Sequence, residues 1–289
     1  MESQHQTFLG LEPGDCPYDS SNVVLLPVPY DATASYRPGA RFGPQAIIDA
    51  STQVELWDLE LDREPWRVGV FLAPPLQPSM EGPEEVVAQV ERACQEHLDR
   101  GKRLFLLGGE HTVTVGAVQA LAARGPVSVL LVDAHLDLRD SYEGSPHSHA
   151  CVARRLLDCG AGLVHVGPRT ACPEEMEAVR RHGLRPIWGS DLWTESDSSW
   201  IARAVDQLGS RVHVSVDVDG LDPSVVPATG TPVPGGLSWY QLLDLLRAVG
   251  QSREVVACDL CELAPIPGQP ASEFAAALLA YKMIGYFWR

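Results

Sequence analysis

The sequence contains neither a long apolar segment nor a basic, apolar leader. No apolar run approaches the roughly 20 residues that a transmembrane helix needs. The N-terminal stretch MESQHQTFLGLEPGD has no basic start followed by an apolar core, so it does not predict a signal peptide. We therefore expect a cytoplasmic protein that does not enter a membrane.

Basic residues are also scarce. The chain has 22 lysines and arginines against 38 acidic residues, which gives a formal net charge of −16 and an isoelectric point near 4.9. A surface of this sign repels nucleic acid and anionic membranes and favours cationic ligands. Many soluble proteins are acidic for solubility alone, so the charge excludes partners without identifying a function.

Cysteines, linkers and repeats give few further signals. The seven cysteines are odd in number and scattered, which argues against a disulfide framework and favours buried, reduced thiols. We find no linker, low-complexity tract or internal repeat in the 289 residues. The sequence therefore predicts a single domain over residues 1–289.

Short apolar segments alternate with segments of helical periodicity. Helices are expected at 83–100, 173–183 and 237–250, the last with Ser238 as its N-cap. Alternation of this kind predicts a parallel sheet covered by helices on both faces, with functional sites beyond the carboxyl ends of the strands. Seven segments are expected to form the strands: 22–30, 67–74, 102–109, 127–134, 162–169, 211–220 and 254–263.

Three of these apolar segments end in acidic residues and histidines. They read LFLLGGEHT (104–112), VLLVDAHLD (129–137) and VHVSVDVDGLDP (212–223). In an extended chain, residues two apart point to one face, so Asp133, His135 and Asp137 converge on one small volume. A single histidine or D-x-D after a strand is usually structural, whereas three such segments that meet at one place indicate a functional site.

Together the three segments place four carboxylates and two imidazoles at one end of the sheet. Four clustered negative charges without compensation would each cost several kcal/mol to desolvate, whereas two divalent cations would neutralise them. Carboxylate and imidazole ligands without thiolate suit manganese or iron better than structural zinc. Two such ions hold a bridging water ionised near neutral pH, so the pattern predicts a binuclear hydrolase site. The candidate ligands are His111, Asp133, His135, Asp137, Asp217 and Asp219.

These motifs resemble the signatures of the ureohydrolase family, which includes arginase and agmatinase. The matching segments are GGEH (108–111), DAHLD (133–137) and SVDVDGLDP (215–223). The resemblance implies a three-layer α/β/α fold around a central, mostly parallel, eight-stranded sheet. It also implies two Mn²⁺ ions per chain, a trimeric or hexameric homo-oligomer, and cleavage of a guanidino group to urea and an amine.

The resemblance also implies a role for each ligand. One ion would bind the first set of side chains and the other ion the second, with Asp133 and Asp217 bridging the two. The first set is His111, Asp133, Asp137 and Asp217, and the second is Asp133, His135, Asp217 and Asp219.

Two further residues match the family beyond the metal ligands. Glu262 corresponds to the glutamate that binds the planar guanidinium, and His149 to the histidine that carries a proton to the leaving amine. His147 is a rival for that second role. Glu110 stands where the family usually has Asp, and as a residue that orients a ligand it is expected to affect geometry and metal affinity rather than chemistry.

The substrate is expected to be a small cationic guanidine. Segment 28–44 resembles the agmatinase branch, and Glu143 would repel a substrate carboxylate and suit a distal ammonium. Agmatine, giving putrescine and urea in polyamine biosynthesis, is therefore the first expectation. N1-aminopropylagmatine, giving spermidine, is the alternative, followed by guanidinobutyrate and formiminoglutamate. The acidic segment 194–200 is a solvated loop or a contact for a polyamine tail. A homologue that has lost turnover is disfavoured, because all the site residues are present.

Overall fold

The computed structural model describes residues 6–194 and 198–289. Its core is one sheet of seven strands: β1 (Val23–Val28), β2 (Val70–Leu72), β3 (Arg103–Gly108), β4 (Ser128–Val132), β5 (Gly162–Val166), β6 (Arg211–Asp217) and β7 (Glu254–Cys261). Every neighbouring pair of strands is parallel, and their order in the sheet is β2-β1-β3-β7-β6-β4-β5.

Each of the seven apolar segments predicted from the sequence contains one of these strands. The central strands are buried on both faces, and β1 and β4 are buried along their whole length. Continuous apolar strands of this kind are stable only where helices cover both sides of the sheet. The last strand along the chain, β7, lies in the middle of the sheet between β3 and β6.

Nine α-helices surround the sheet in the described part of the chain. The predicted starts are found where proline opens α2 (Pro83–Asp99) and α5 (Pro173–Arg181), and where Ser238 caps α8 (Trp239–Ser252) in a reciprocal capping box with Gln241. The helices are α1 (Gly43–Ser51), α2 (Pro83–Asp99), α3 (Val113–Ala122), α4 (Val152–Asp158), α5 (Pro173–Arg181), α6 (Asp191–Thr194), α7 (Ser199–Gln207), α8 (Trp239–Ser252) and α9 (Ala271–Phe287).

The helices form two layers with separate apolar cores. Helices α1, α7, α8 and α9 pack on one face of the sheet, and α2, α3, α4 and α5 pack on the other. The apolar helix α9 is mostly buried within its own chain, where it contacts α1 and α8. The architecture is therefore the predicted α/β fold with three layers.

The eighth strand expected from the family resemblance is not confirmed. In the described residues, Ile187 makes one isolated parallel bridge to Val166 beside β5. The extended segment ends there because the next amide, that of Trp188, donates a 3.0 Å hydrogen bond to the carboxylate of Asp191 in the turn before α6. A single bridging residue, Ile187, therefore stands where an eighth strand would lie at the edge of the sheet.

Two further expectations concern the acidic segment 194–200 and the absence of a membrane-spanning helix. Of the acidic segment 194–200, residues 195–197 lie outside the described residues. Among the helices of the described ranges, none has the length and apolar character needed to cross a membrane.

Candidate metal centre

The predicted site residues follow four neighbouring strands at the carboxyl end of the sheet. His111 follows β3, Asp133 follows β4, Asp217 ends β6, and Glu262 directly follows β7. Because these strands are parallel and adjacent in the order β3-β7-β6-β4, their carboxyl ends bring the four side chains together. Ligands of open parallel sheets bind beyond the carboxyl ends of the strands, and the predicted site lies there.

The first cluster is built around the imidazole of His111. Its Nδ1 lies 3.1 Å from Oδ2 of Asp133, 3.4 Å from Oδ2 of Asp137 and 3.6 Å from Oδ2 of Asp217. All four side chains are buried. Nitrogen and carboxylate oxygens that converge at these distances could ligate one metal ion.

The second cluster lies around His135 and shares Asp133 with the first. Nδ1 of His135 is 3.0 Å from Oδ2 of Asp219 and 3.4 Å from Oδ1 of Asp133. The two oxygens of Asp133 therefore face different imidazoles, as expected of a carboxylate that bridges two ions. Asp217 links the clusters again, because its Oδ1 accepts a 2.8 Å hydrogen bond from the amide of Asp219.

The donor set fits a divalent metal pair. Nδ1 of His111 and Oδ2 of Asp133 are buried and have no hydrogen-bond partner among the described residues, which is unusual for polar atoms unless an ion occupies the space between them. In the protein without metal, burial and then the charge of Asp219 and Asp133 raise the pKa of Asp217 well above its ordinary value. A cation would relieve this repulsion.

A chain of buried side chains holds His111 from the side opposite the cluster. Its Nε2 lies 2.8 Å from Oγ of Ser215, and that hydroxyl donates a 2.6 Å hydrogen bond to Oδ1 of Asp259. Oδ2 of Asp259 lies 2.6 Å from Nε2 of His213. Since the Ser215 hydroxyl donates to Asp259, its oxygen accepts from Nε2–H of His111, which leaves Nδ1 unprotonated and able to ligate a metal.

Close backbone packing places Glu262 beside His111. A Cβ on Gly109 would lie 2.0 Å from the carbonyl oxygen of Tyr30, so only glycine allows β3 to turn here. The amide of Glu262 donates to Gly109, and the Glu262 carboxylate accepts a 2.7 Å hydrogen bond from the amide of His111. Glu262 and Asp137 both have positive φ, 66° and 51°, a strained conformation that occurs often at functional sites.

A cavity of about 260 Å³ opens above both clusters. Glu262 and His149 line it together with five of the six candidate ligands, all but Asp133, and the ring of Tyr142 meets that of His149 edge to face at 5.9 Å. Burial, then the charge of neighbouring acids such as Glu110, raises the pKa of Glu262 to about 8. A bound guanidinium would favour its ionised form.

The two candidate histidines differ in their relation to the cavity, and Glu143 lies outside its described lining. His149 lines the cavity, whereas His147 is not among the described lining residues and its carbonyl accepts a hydrogen bond from Thr112. Glu143 is exposed in the turn 142–145, with φ of 49°, and is not among the described lining residues either.

Sequence reasoning missed several polar residues that support the site. Thr33 contacts both Glu110 and His149, and Glu175 at the start of α5 lines the cavity while accepting hydrogen bonds from two backbone amides. Asp259 on β7 could have been found, because an acidic residue inside an apolar central strand requires a buried partner. No comparable signal in the sequence marks Thr33.

Comparison with known proteins assigns the family. A family model described as the arginase family matches residues 21–285. The chain belongs to the arginase family of ureohydrolases. The match extends over most of this ureohydrolase and includes all four strands that carry the site, so the resemblance drawn from its three signature segments is confirmed.

Individual relatives support the agmatinase branch of the family. The ureohydrolase is 43% identical to an N(1)-aminopropylagmatine ureohydrolase of Thermus thermophilus over 272 residues, which cover 94% of this chain and 92% of that protein. It is 33% identical to an agmatinase of Pyrococcus horikoshii over 267 residues, 92% of each chain. A solved structure described as agmatine ureohydrolase of Thermoplasma volcanium is 33% identical, with a TM-score of 0.86 over 93% of this chain and 91% of that one.

Proposed function

We propose that this ureohydrolase hydrolyses the guanidino group of agmatine to urea and putrescine at a binuclear metal site. The observation that carries the proposal is the pair of ligand clusters that share Asp133 and whose other members line a cavity together with Glu262. The proposed ligands are His111, Asp133, Asp137 and Asp217 for one ion, and Asp133, His135, Asp217 and Asp219 for the other.

The chemistry divides between the metals and the side chains. Two divalent ions held by these ligands would supply a nucleophile at neutral pH by lowering the pKa of a bound water. The Glu262 carboxylate binds the planar guanidinium and orients its central carbon towards the ligand clusters. One oxygen of Glu262 accepts from the amide of His111, which fixes the direction of the carboxylate.

His149 is proposed to carry a proton to the leaving amine. Its position on the cavity wall and its contact with Tyr142 support this role over that of His147. Burial, which disfavours the imidazolium, lowers the pKa of His149 below its ordinary value. The ring is therefore neutral at the start of the reaction and able to accept the proton that it later gives to nitrogen.

The substrate is proposed to be a cationic amine, with N1-aminopropylagmatine as an equally supported second candidate. The relative at 43% identity is named for the longer substrate, and the one at 33% identity is named agmatinase. Arg139 lines the cavity and lies 4.9 Å from the centre of the Tyr142 ring. Because this cation would attract a carboxylate, arginine, guanidinobutyrate and formiminoglutamate are needed as comparison substrates.

Urea release by the purified, manganese-loaded protein tests the proposal. We expect urea from agmatine or N1-aminopropylagmatine, and the ratio of the two kcat/KM values identifies the tail length. A preference for a guanidine that bears a carboxylate would contradict the cationic assignment. A chain with two bound metals that releases urea from none of these guanidines would contradict the whole proposal.

The remaining features complete the proposal. We also propose that residues 1–289 form one ureohydrolase domain, which the match of the family model over 21–285 supports, and that the protein is cytoplasmic. Both ions are Mn²⁺, a choice that the carboxylate and imidazole donors support. The chain assembles as a trimer or hexamer, as its family does, without binding nucleic acid or membranes. Metal analysis would give two ions per chain, which a homologue without activity would not retain.

A further inference from the structure

The hydroxyl of Thr33 lies between Glu110 and His149. Oγ1 of Thr33 donates a 2.7 Å hydrogen bond to Oε1 of Glu110, and the amide of Thr33 donates a 2.8 Å bond to Oε2 of the same carboxylate. On its other side, Oγ1 accepts a 3.0 Å hydrogen bond from the amide of His149 and lies 3.3 Å from Nδ1 of the His149 ring. Glu110 is fully buried, so this contact is made without competition from water.

The count of protons determines what Thr33 can offer to the imidazole. A hydroxyl has one proton and two lone pairs, and the proton of Thr33 is directed at Glu110. One lone pair accepts from the amide of His149, which leaves the second lone pair for the ring. With the Glu110 carboxylate ionised, Thr33 can therefore accept from Nδ1–H but cannot donate to Nδ1.

The loop that carries Thr33 is fixed independently of this contact. Oδ2 of Asp31 accepts hydrogen bonds from the amides of Gly39 and Arg41, at 2.8 and 3.1 Å. The amide of Thr33 also holds the loop to Glu110, and that bond does not involve the hydroxyl. Removal of the hydroxyl would therefore leave the loop in place.

We propose that Thr33, held by Glu110, is a positioning residue for His149 that fixes the proton of the neutral ring on Nδ1. The unprotonated Nε2 is then the nitrogen that exchanges a proton with substrate. In this chain the Glu110 carboxylate reaches both the hydroxyl and the amide of Thr33. The proposal rests on the proposed function only for the role of His149 in catalysis.

Ser148 competes for the same ring nitrogen. Its Oγ lies 3.3 Å from Nδ1 of His149, and it is free to donate to Nδ1 in the opposite tautomer. Ser148 and Thr33 therefore predict different tautomers, and the proposal commits to the one that Thr33 requires.

Nitrogen-15 NMR of histidine-labelled protein tests the tautomer directly. The full chain would be loaded with a diamagnetic ion such as Mg²⁺ or Zn²⁺, at a pH where the ring is neutral, and the His149 signal identified by its loss in His149→Asn. We expect the Nδ1–H form in the wild type and in Ser148→Ala, loss of that form in Thr33→Val, and its return in Thr33→Ser. A wild-type Nε2–H ring, or an unchanged ring in Thr33→Val, would overturn the proposal.

Kinetics and metal analysis supply the matched readouts. Thr33→Val keeps the shape of the side chain but removes the hydroxyl, and we expect kcat to fall about 10–100-fold, within the range for general acid–base groups. KM and the number of bound metals should stay within about twofold of the wild type, and Thr33→Ser should recover most of kcat. A change confined to KM, or loss of metal, would show a structural role and overturn the proposal.

A double-mutant cycle separates this proposal from the proposed function. If Thr33 acts through His149, Thr33→Val in a His149→Asn background should lower kcat by less than about twofold. Multiplication of the two losses would refute the positioning role. Full activity in His149→Asn alone would instead refute the assigned role of His149, and the NMR result would still decide whether Thr33 sets the tautomer.

Discussion

The buried chain from His111 to Asp259 makes a quantitative prediction about metal affinity. Asp259→Asn keeps the shape of the side chain but replaces one acceptor oxygen with a donor NH₂ group. In the native protein, both oxygens accept short hydrogen bonds, from Ser215 and His213, each 2.6 Å long. Asn can accept only one of them, and at the other contact its NH₂ group faces a group that donates in the native protein.

Two free energies should change. Although burial alone would raise it, the charge of His213 lowers the pKa of Asp259, so the native carboxylate is ionised and its hydrogen bonds are charge-assisted. Losing one such bond and leaving a buried donor unpaired should lower the free energy of unfolding by about 2–5 kcal/mol. Loss of a group that orients a ligating histidine lowers metal affinity about 10–100-fold, which corresponds to roughly 1.4–2.7 kcal/mol.

Calorimetric titration with Mn²⁺ and thermal unfolding measure these two effects separately. Ser215→Ala is the matched variant, because it breaks the link between Asp259 and His111 but leaves the contact of Asp259 with His213. Asp259→Asn alone should weaken metal binding, whereas adding it to the Ser215→Ala variant should change the metal affinity little further. If Asp259→Asn lowered stability while the metal Kd stayed within about twofold of the wild type, the hydrogen-bonded side chains would stabilise the fold without orienting His111. That result would refute the prediction.

Two other predictions follow from single buried groups. Asp133→Ala removes the carboxylate shared by both clusters, so metal content and urea release should both be lost while circular dichroism stays native; two retained ions would contradict the site. Burial lowers the pKa of His165 to about 4, so the folded state binds fewer protons than the unfolded state between pH 4 and 6.5. Its contribution to stability is complete above pH 6.5 and falls by about 2 kcal/mol between pH 7 and pH 5. His165→Gln should remove that part of the fall in urea unfolding with a chelator present, and an unchanged fall would contradict the assignment.

Periodicity and strand composition predicted most of the fold. Each apolar segment became a strand because a parallel sheet buries both faces, and the signal for a buried strand is strong. The eighth strand came from the family resemblance rather than from the residues, and only Ile187 pairs at its position. That segment ends where the amide of Trp188 donates a hydrogen bond to the side chain of Asp191, a local contact that no hydrophobic pattern reveals.

The metal ligands could be predicted, whereas the residues that orient them mostly could not. Asp133 and His135 carry a local pattern, since each follows a strand and they lie two residues apart. Thr33 and Glu110 lie 77 residues apart and meet only because β1 and β3 are neighbours. Long-range contacts of a hydroxyl leave no periodic trace in a sequence, so such residues emerge only from the coordinates.

The central position of β7 has a consequence for the order in which the protein is made. The ribosome releases β1, β2 and β3 first and β4, β5 and β6 next, but these two groups of strands are not hydrogen-bonded to each other. Until residues 254–261 emerge and insert between β3 and β6, His111 is separated from Asp133 and Asp217 by an open gap in the sheet. The ligand set that contains His111 can therefore form only after β7 has inserted, whereas the set of Asp133, His135, Asp217 and Asp219 follows the adjacent strands β4 and β6 and does not depend on β7.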